Sequence, residues 1–361
     1  MSTTTVWALR RLVVAPAVIT LTVVLWVTLP VWLLVAAALS PVLPGRWRAL
    51  RLLWVVIIYL TFETLLLAVL LGLWIASGFG WRLRSPYFAG IHYDLVQGTL
   101  IVFFREARRV LALRIRTDGP HPPRVPEGPV LVMCRHAGPG DSFILMYALL
   151  HWYHREPRVV LKNTLAWDPA IDVVLRRIPA RFISPNPEAG EDLESQIAAL
   201  ATGLDHNDAF VIFPEGGNFT SERRDRAIAR LRKLGLERMA VRAEEMTHVL
   251  APRPGGVLAA LEAAPEADVL VVAHTGLDHL VTVSDLWRSL PMDKQITMRW
   301  WQVSREEIPA GREERIDWLY GWWERVDDWI EENRVDAPKG PRAVPQPPPR
   351  RTECGWDTAR A

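Results

Sequence analysis

Two long apolar runs open the chain: residues 12–39 carry no charged side chain, and residues 52–79 carry only Glu63. Each exceeds the ~20 residues a helix needs to cross a bilayer. The Pro- and Arg-containing stretch from Ser40 to Arg51 predicts a turn between them. Residues 1–84 therefore read as a two-helix membrane hairpin, with helices at about 12–39 and 52–79. The first run is too long for a cleavable leader, and no small-residue cleavage site follows it. Arg10, Arg11, Arg82 and Arg84 flank the open side of the hairpin, and Arg46, Arg48 and Arg51 sit at its tip. That bias slightly favours a cell-membrane protein with the open side, and the rest of the chain, on the cytoplasmic face. Basic residues at both ends fit equally a hairpin that dips into one leaflet and returns, with Pro16 and Pro30 permitting the bend. Glu63 reads as turned toward the partner helix or the interface, without a special role.

From about residue 128 the pattern changes to short apolar runs alternating with amphipathic segments. Strands are expected at Pro129 to Cys134, Arg158 to Leu161, Phe182 to Ser184, Ala209 to Phe213 and Asp268 to His274. Helices are expected at about 141–154, 167–177, 189–204, 221–236 and 255–264. This alternation predicts an α/β fold, a mostly parallel sheet with flanking helices, preceded by the hairpin. A last helix at about 312–334 carries Ile316, Leu319, Trp323, Val326 and Ile330 at spacings of three and four, a stripe expected to pack on the domain. The expected division is hairpin at 1–84, α/β domain at 85–335 and a Pro-rich disordered tail at 336–361.

Composition adds exclusions. A formal net charge of +2 over 361 residues gives no reason to expect nucleic acid as a partner. Two cysteines, Cys134 in a strand and Cys354 in the tail, rule out a cysteine-built zinc site, and a disulfide between them is not expected. The histidines at 274 and 279 with Asp278 are read as ordinary polar residues rather than a metal cluster, so no metal is expected.

The chemistry concentrates in two strand-to-helix turns. From Val130 to Phe143 a buried strand runs into a tight Gly138-Pro139-Gly140 loop, with His136 just past the strand end and Asp141 at the helix start. Ligands of α/β sheets bind at such strand ends. A carboxylate beside a histidine fixes its tautomer and stabilises its charged form, which suits a general base acting on a hydroxyl. The spacing alone fits equally a loop histidine and a plain helix cap. The second turn, Phe213-Pro214-Glu215-Gly216-Gly217-Asn218, leaves a carboxylate at a strand end beside paired glycines that permit close backbone approach. Its bland alternative is a polar turn capped by Thr220.

The two blocks in this order, behind an apolar hairpin, resemble the glycerophosphate acyltransferase superfamily, which includes the 1-acylglycerol-3-phosphate acyltransferases. Phe219 to Glu222, Lys233 to Leu236, Val249 to Gly256, Trp318 to Tyr320 and Glu324 to Asp328 are similar to the branch of eukaryotic-type acylglycerophosphate and lysocardiolipin acyltransferases. The likeness covers roughly residues 90–332. It implies an O-acyltransferase of phospholipid biosynthesis or remodelling, with His136 as base, Asp141 orienting it, and Phe213, Pro214, Glu215, Gly216 and Gly217 helping to bind the acceptor. Lys162 and Arg253 fall where the family often has basic residues near that acceptor. The implied partners are the lipid bilayer, acyl-CoA or acyl carrier protein, and a lysophospholipid such as 1-acylglycerol-3-phosphate. The thioester is a co-substrate, and no cofactor is implied.

The sequence departs from the family at two places where phosphate-binding arginines are usual: Asn218, and Ser184 followed by Pro185. Asparagine cannot reproduce the bidentate contact of arginine with a phosphate monoester. An acceptor with a phosphodiester or glycosylated head group is therefore an alternative, unless Arg181, Arg223, Arg224 or Arg253 supplies the charge. The stretch Ser221 to Arg238 holds seven basic residues and reads either as a solvated helix face or as a surface for anionic lipid heads or the carrier's phosphates. A membrane-anchored hydrolase using the same pair on water is the alternative from another class.

Overall fold

The computed structural model describes residues 3–43, 47–119, 128–138, 140–183, 192–276, 278 and 295–334. The N-terminal region is helical: α1 (Thr3–Leu9), a π-helical turn (Arg10–Val14), α2 (Ala15–Val27), α3 (Leu29–Leu39) and α4 (Arg48–Ala76). The single helix expected over 12–39 is thus broken. Thr28, at φ −91° and ψ 4°, leaves the helical ladder two residues before Pro30, which has no N–H to give to the preceding turn. Val6–Val27 and Arg48–Ala76 are each long and apolar enough to cross a membrane by length and composition. The inner faces are tied by polar contacts: Thr22 donates to the Leu60 carbonyl at 3.1 Å, Thr64 to the Thr22 hydroxyl at 2.9 Å and Trp26 to Thr61 at 2.9 Å. The outer faces expose Leu21, Val23, Val27, Val31, Trp32 and Leu34.

The α/β part begins with α5 (Pro86–Leu111) and β1 (Arg114–Thr117), then β2 (Val130–Cys134) and α6 (Asp141–Tyr147), which continues as a π-helical turn, Ala148–Trp152. β3 (Glu156–Lys162) leads through a 3-10 turn into α7 (Pro169–Leu175), then come β4 (Ala180–Ile183), α8 (Leu193–Ala201) and β5 (Asp208–Ile212). After these follow α9 (Ser221–Lys233), α10 (Glu237–Glu245), α11 (Pro254–Ala263), β6 (Asp268–Thr275), β7 (Gln295–Val303) and α12 (Arg312–Asn333). The seven-stranded sheet has the order β1-β7-β6-β2-β5-β3-β4. It is mostly parallel, as expected, with the β6–β7 junction antiparallel and β1 parallel to β7.

The central strands β2 and β5 are buried along their whole length. That burial requires helices on both faces, and it is why these strands read as unbroken apolar runs. Val130, Val132 and Cys134 pack on one face with Leu100 and Phe104 of α5 and Leu145 of α6. Leu131 and Met133 pack on the other with Ile197 of α8, Leu258 of α11, and Leu319 and Trp323 of α12. The apolar stripe of α12 therefore packs on the sheet, as its spacing implies. In the α/β part, four of the described elements were not expected from the sequence: α5, α10, β1 and β7. In β7 Ile296, Met298 and Trp300 are buried at alternate positions and Val303 on the other face, and Arg299 and Gln302 interrupt the apolar pattern. The tail expected at 336–361 and the strand-end Ser184 lie outside the described residues.

The hairpin is docked on α7. Glu63 is buried and accepts from the Ala170 amide at 2.7 Å, and the Tyr59 hydroxyl donates to Asp168, the N-cap of α7, at 2.5 Å. Buried Asp172 meets Arg10 at 3.4 Å, Arg11 at 3.3 Å and Arg176 at 2.8 Å, while Arg177 donates to the Leu70 carbonyl at 2.7 Å. Glu63 therefore faces the α/β part rather than only its partner helix, correcting the sequence expectation. A helix N-terminus presents unpaired N–H groups, and a carboxylate is the group that satisfies them.

Candidate active site

The β2 strand ends at Cys134, and the chain leaves the sheet through Arg135 and His136 before α6 starts at Asp141. Position 140, a glycine, is the N-cap, so Asp141 is not the plain cap considered from spacing. Instead its side chain folds back over the loop. Oδ2 accepts from the Ala137 amide at 2.5 Å and the Gly138 amide at 2.6 Å, and lies 3.4 Å from His136 Nδ1. Burial alone would push this carboxyl up, but the imidazoles of His274 and His136 and the Gly138 amide outweigh it, holding the group below its ordinary range. The His136 ring is 14% exposed, and its Nδ1 is turned to Asp141, which leaves Nε2 for a substrate. Pro139 lies outside the described residues.

The turn after β5 closes on this loop from the neighbouring strand. Phe213 sets its ring 4.7 Å from that of His136. Glu215 is buried, and its two oxygens accept from the His136 amide at 2.7 Å and the Leu250 amide at 2.9 Å. The Phe219 amide in turn donates to the His136 carbonyl at 2.9 Å. His136 is thus clamped through its main chain on both sides, and its side chain is left to do chemistry. Desolvation pushes the Glu215 carboxyl up to about 8, against the pull of Arg135 and the two amides. Glu215, expected from the sequence to help bind the acceptor, has both oxygens engaged by these main-chain amides and so also holds the His136 backbone in place. Thr220 caps α9 by accepting from the Arg223 amide at 3.2 Å.

Gly216 sits at φ +67°, where a side chain would be strained, and a Cβ there would stand 3.0 Å from the Arg253 guanidinium. Gly217 is buried beside it, Pro214 accepts from the Arg253 amide at 2.9 Å, and Arg253 thereby rides on the turn. The Asn218 carbonyl accepts from Arg223 at 3.0 Å. Phe213, Pro214, Glu215, Gly216, Gly217 and Arg253 are brought together around His136 and Asp141. Lys162 closes β3, but its side chain lies outside the described residues.

Two neighbours were not singled out from the sequence. Arg135 is fully buried and donates to the carbonyls of His274 at 2.7 Å and His248 at 2.9 Å and to the carboxylate of Asp278. This ion pair keeps Asp278 far below the usual carboxylate range despite its burial. His274 is also buried, beside Asp141. Its position at the C-terminal end of β6, the strand adjoining β2, was the signal that placed it at the site. Asp278 is engaged with Arg135, and no group of metal-ligating side chains occurs among the described residues.

A strand-end histidine backed by a buried carboxylate, on a mostly parallel sheet, is an arrangement chemically able to accept a proton from a bound hydroxyl. Residues 113–273 match the family model described as Acyltransferase. No curated protein matches the chain. Among solved structures the chain is similar to the 1-acyl-sn-glycerophosphate (LPA) acyltransferase PlsC from Thermotoga maritima. The identity is 15% and the TM-score 0.44, over 76% of this chain and 97% of that one.

Proposed function

We propose that the protein is a membrane-anchored O-acyltransferase that moves a fatty acyl group from acyl-CoA or acyl carrier protein to the hydroxyl of a lysophospholipid such as 1-acylglycerol-3-phosphate. The observation that carries this reading is the 3.4 Å approach of Asp141 to His136 Nδ1 at the end of β2, inside the acyltransferase domain. In this reaction His136 Nε2 takes the hydroxyl proton as the oxygen attacks the thioester carbonyl. The C–O bond forms, the C–S bond breaks, and the thiolate takes the proton back from the imidazolium. Asp141 holds the ring in the Nδ1–H tautomer and stabilises its transient charge. Phe213 to Gly217, with Lys162 and Arg253, form the side on which the acceptor binds. The exposed apolar faces of α2, α3 and α4 suit a bilayer, into which a lysolipid already partitions. The α/β domain stands on the cytoplasmic side in this reading.

The test is acyl transfer by the purified, detergent-solubilised protein from labelled acyl-CoA to a panel of lysolipids. Acylated lipid is expected with the wild type, and none above background with His136→Ala. Free fatty acid in place of acylated lipid would mean hydrolysis. Acylation of phosphodiester or glycosylated lysolipids but not 1-acylglycerol-3-phosphate would move the acceptor to the class suggested by Asn218.

A further inference from the structure

His274 takes no part in the mechanism above, yet the fold aims its polar edge at the site. The last β2–β6 pair is Cys134 with Val272, so His274 lies two residues beyond it, alongside the loop that carries His136. The side chain is buried, with Nε2 3.1 Å from the Arg135 carbonyl and 3.6 Å from Asp141 Oδ2. A carbonyl only accepts, so Nε2 carries the hydrogen and the tautomer is fixed. The same N–H is thereby directed toward Asp141, whose Oδ2 faces two imidazoles, His136 at 3.4 Å and His274 at 3.6 Å. The His274 carbonyl in turn accepts from the Arg135 guanidinium at 2.7 Å. Arg135 and His274 thus clasp each other, backbone oxygen to side chain in both directions, and the clasp spans β2 and β6 directly behind the catalytic pair.

We propose that His274 is a positioning residue for acyl transfer: its Nε2–H fixes the Arg135 carbonyl and faces the Asp141 carboxylate at 3.6 Å, and through them it sets the orientation and basicity of His136. This rests on the His136–Asp141 reading above. The charged and titratable groups around this point are Asp141 from α6, Arg135 and His136 from the loop, Glu215 from the turn after β5, and Asp278 behind Arg135. At 3.6 Å the His274 donor does not hydrogen-bond Asp141, but the positive end of its N–H dipole faces the carboxylate's negative charge. Without that donor the carboxylate pulls harder on His136, the imidazolium form gains, and the acid limb of the kcat/KM profile moves to higher pH.

The experiment compares His274→Gln, His274→Asn, His274→Met and His136→Ala in the full chain by kcat, KM, pH profile and Tm. A glutamine amide reaches the place of Nε2, an asparagine amide stops short of it, and methionine fills the space without a donor. Glutamine is expected within about threefold of wild type, whereas asparagine and methionine lose about tenfold or more in kcat at unchanged KM, with the acid limb displaced upward. Equal rates and superimposable pH profiles for the Gln, Asn and Met proteins, alongside an inactive His136→Ala, would overturn the role of His274. An active His136→Ala would instead overturn the base assignment on which it rests.

Discussion

Asp141→Asn separates the two tasks that the structure gives this carboxylate. Oδ2 carries all its hydrogen bonds, from the amides of Ala137 and Gly138 and the His136 ring, with His274 Nε2 further off at 3.6 Å, while Oδ1 has no hydrogen-bond partner among the described residues. An asparagine with its oxygen at the Oδ2 position keeps both amide bonds and puts its nitrogen where Oδ1 was. One unpaired buried atom replaces another, at a cost of about 1 kcal/mol or a few degrees in Tm. Catalysis loses the negative charge behind the imidazolium. A charge-assisted bond is worth about 1.5–3 kcal/mol, so kcat/KM should fall about 10- to 150-fold, and further if the His136 tautomer is lost. Asp141→Ala strips both amides as well and should lower Tm several times more. The pH dependence carries a sign. Asp141 is depressed from its ordinary 3.8, so its contribution to stability is present above that pH and is lost as pH falls through the folded value. The Tm gap between wild type and the Asn protein should therefore narrow on acidification below about 3.8. Thermal melts and acyl-transfer kinetics on the three proteins make the comparison. Wild-type kcat/KM in the Asn protein, or equal melting of the Asn and Ala proteins, would refute the reasoning.

Two further outcomes follow from buried charges. Glu215 is raised from its ordinary 4.5 to about 8, so the folded state binds the extra proton between those values, and its contribution to stability falls as pH rises through that window. Glu215→Gln should flatten this dependence in denaturant titrations at pH 5.5 and 8.5, and an unchanged difference between the two would contradict it. Arg135→Met leaves the partly buried Asp278 without its cation and should lower stability by about 1–3 kcal/mol, part of which returns when Asp278→Asn is added, as measured by Tm or soluble yield.

The parts of the sequence that gave themselves away were those under the strongest physical constraint. β2 and β5, covered on both faces, must be apolar throughout, and the turns that follow them carry the histidine, carboxylates and glycines that a strand-end site requires. β1 and β7 were silent because polar residues break their pattern: β1 is Arg-Ile-Arg-Thr, and in β7 Arg299 and Gln302 interrupt the apolar residues on either face. α5 went unread although Leu100, Phe104, Ala107 and Leu111 recur at helical spacing, because it follows an apolar hairpin and precedes the first clear strand. At the site, His136 and Asp141 were legible as a local pair. Glu215 was legible as a residue but not as a clamp, since its partner Leu250 lies 35 residues away. His274 was invisible for the same reason: the contact that distinguishes it from a core histidine is made across strands.

The docking of the hairpin on α7 bears on how such a protein can be handled. A soluble fragment cut after residue 84 would keep every residue of the candidate site, yet α7 would begin without the Glu63 carboxylate at the Ala170 amide. Asp172 would remain buried with only Arg176 of its three cations. The hairpin is in this respect part of the wall that covers α7, and trimming it removes carboxylate and guanidinium contacts along with the apolar helices.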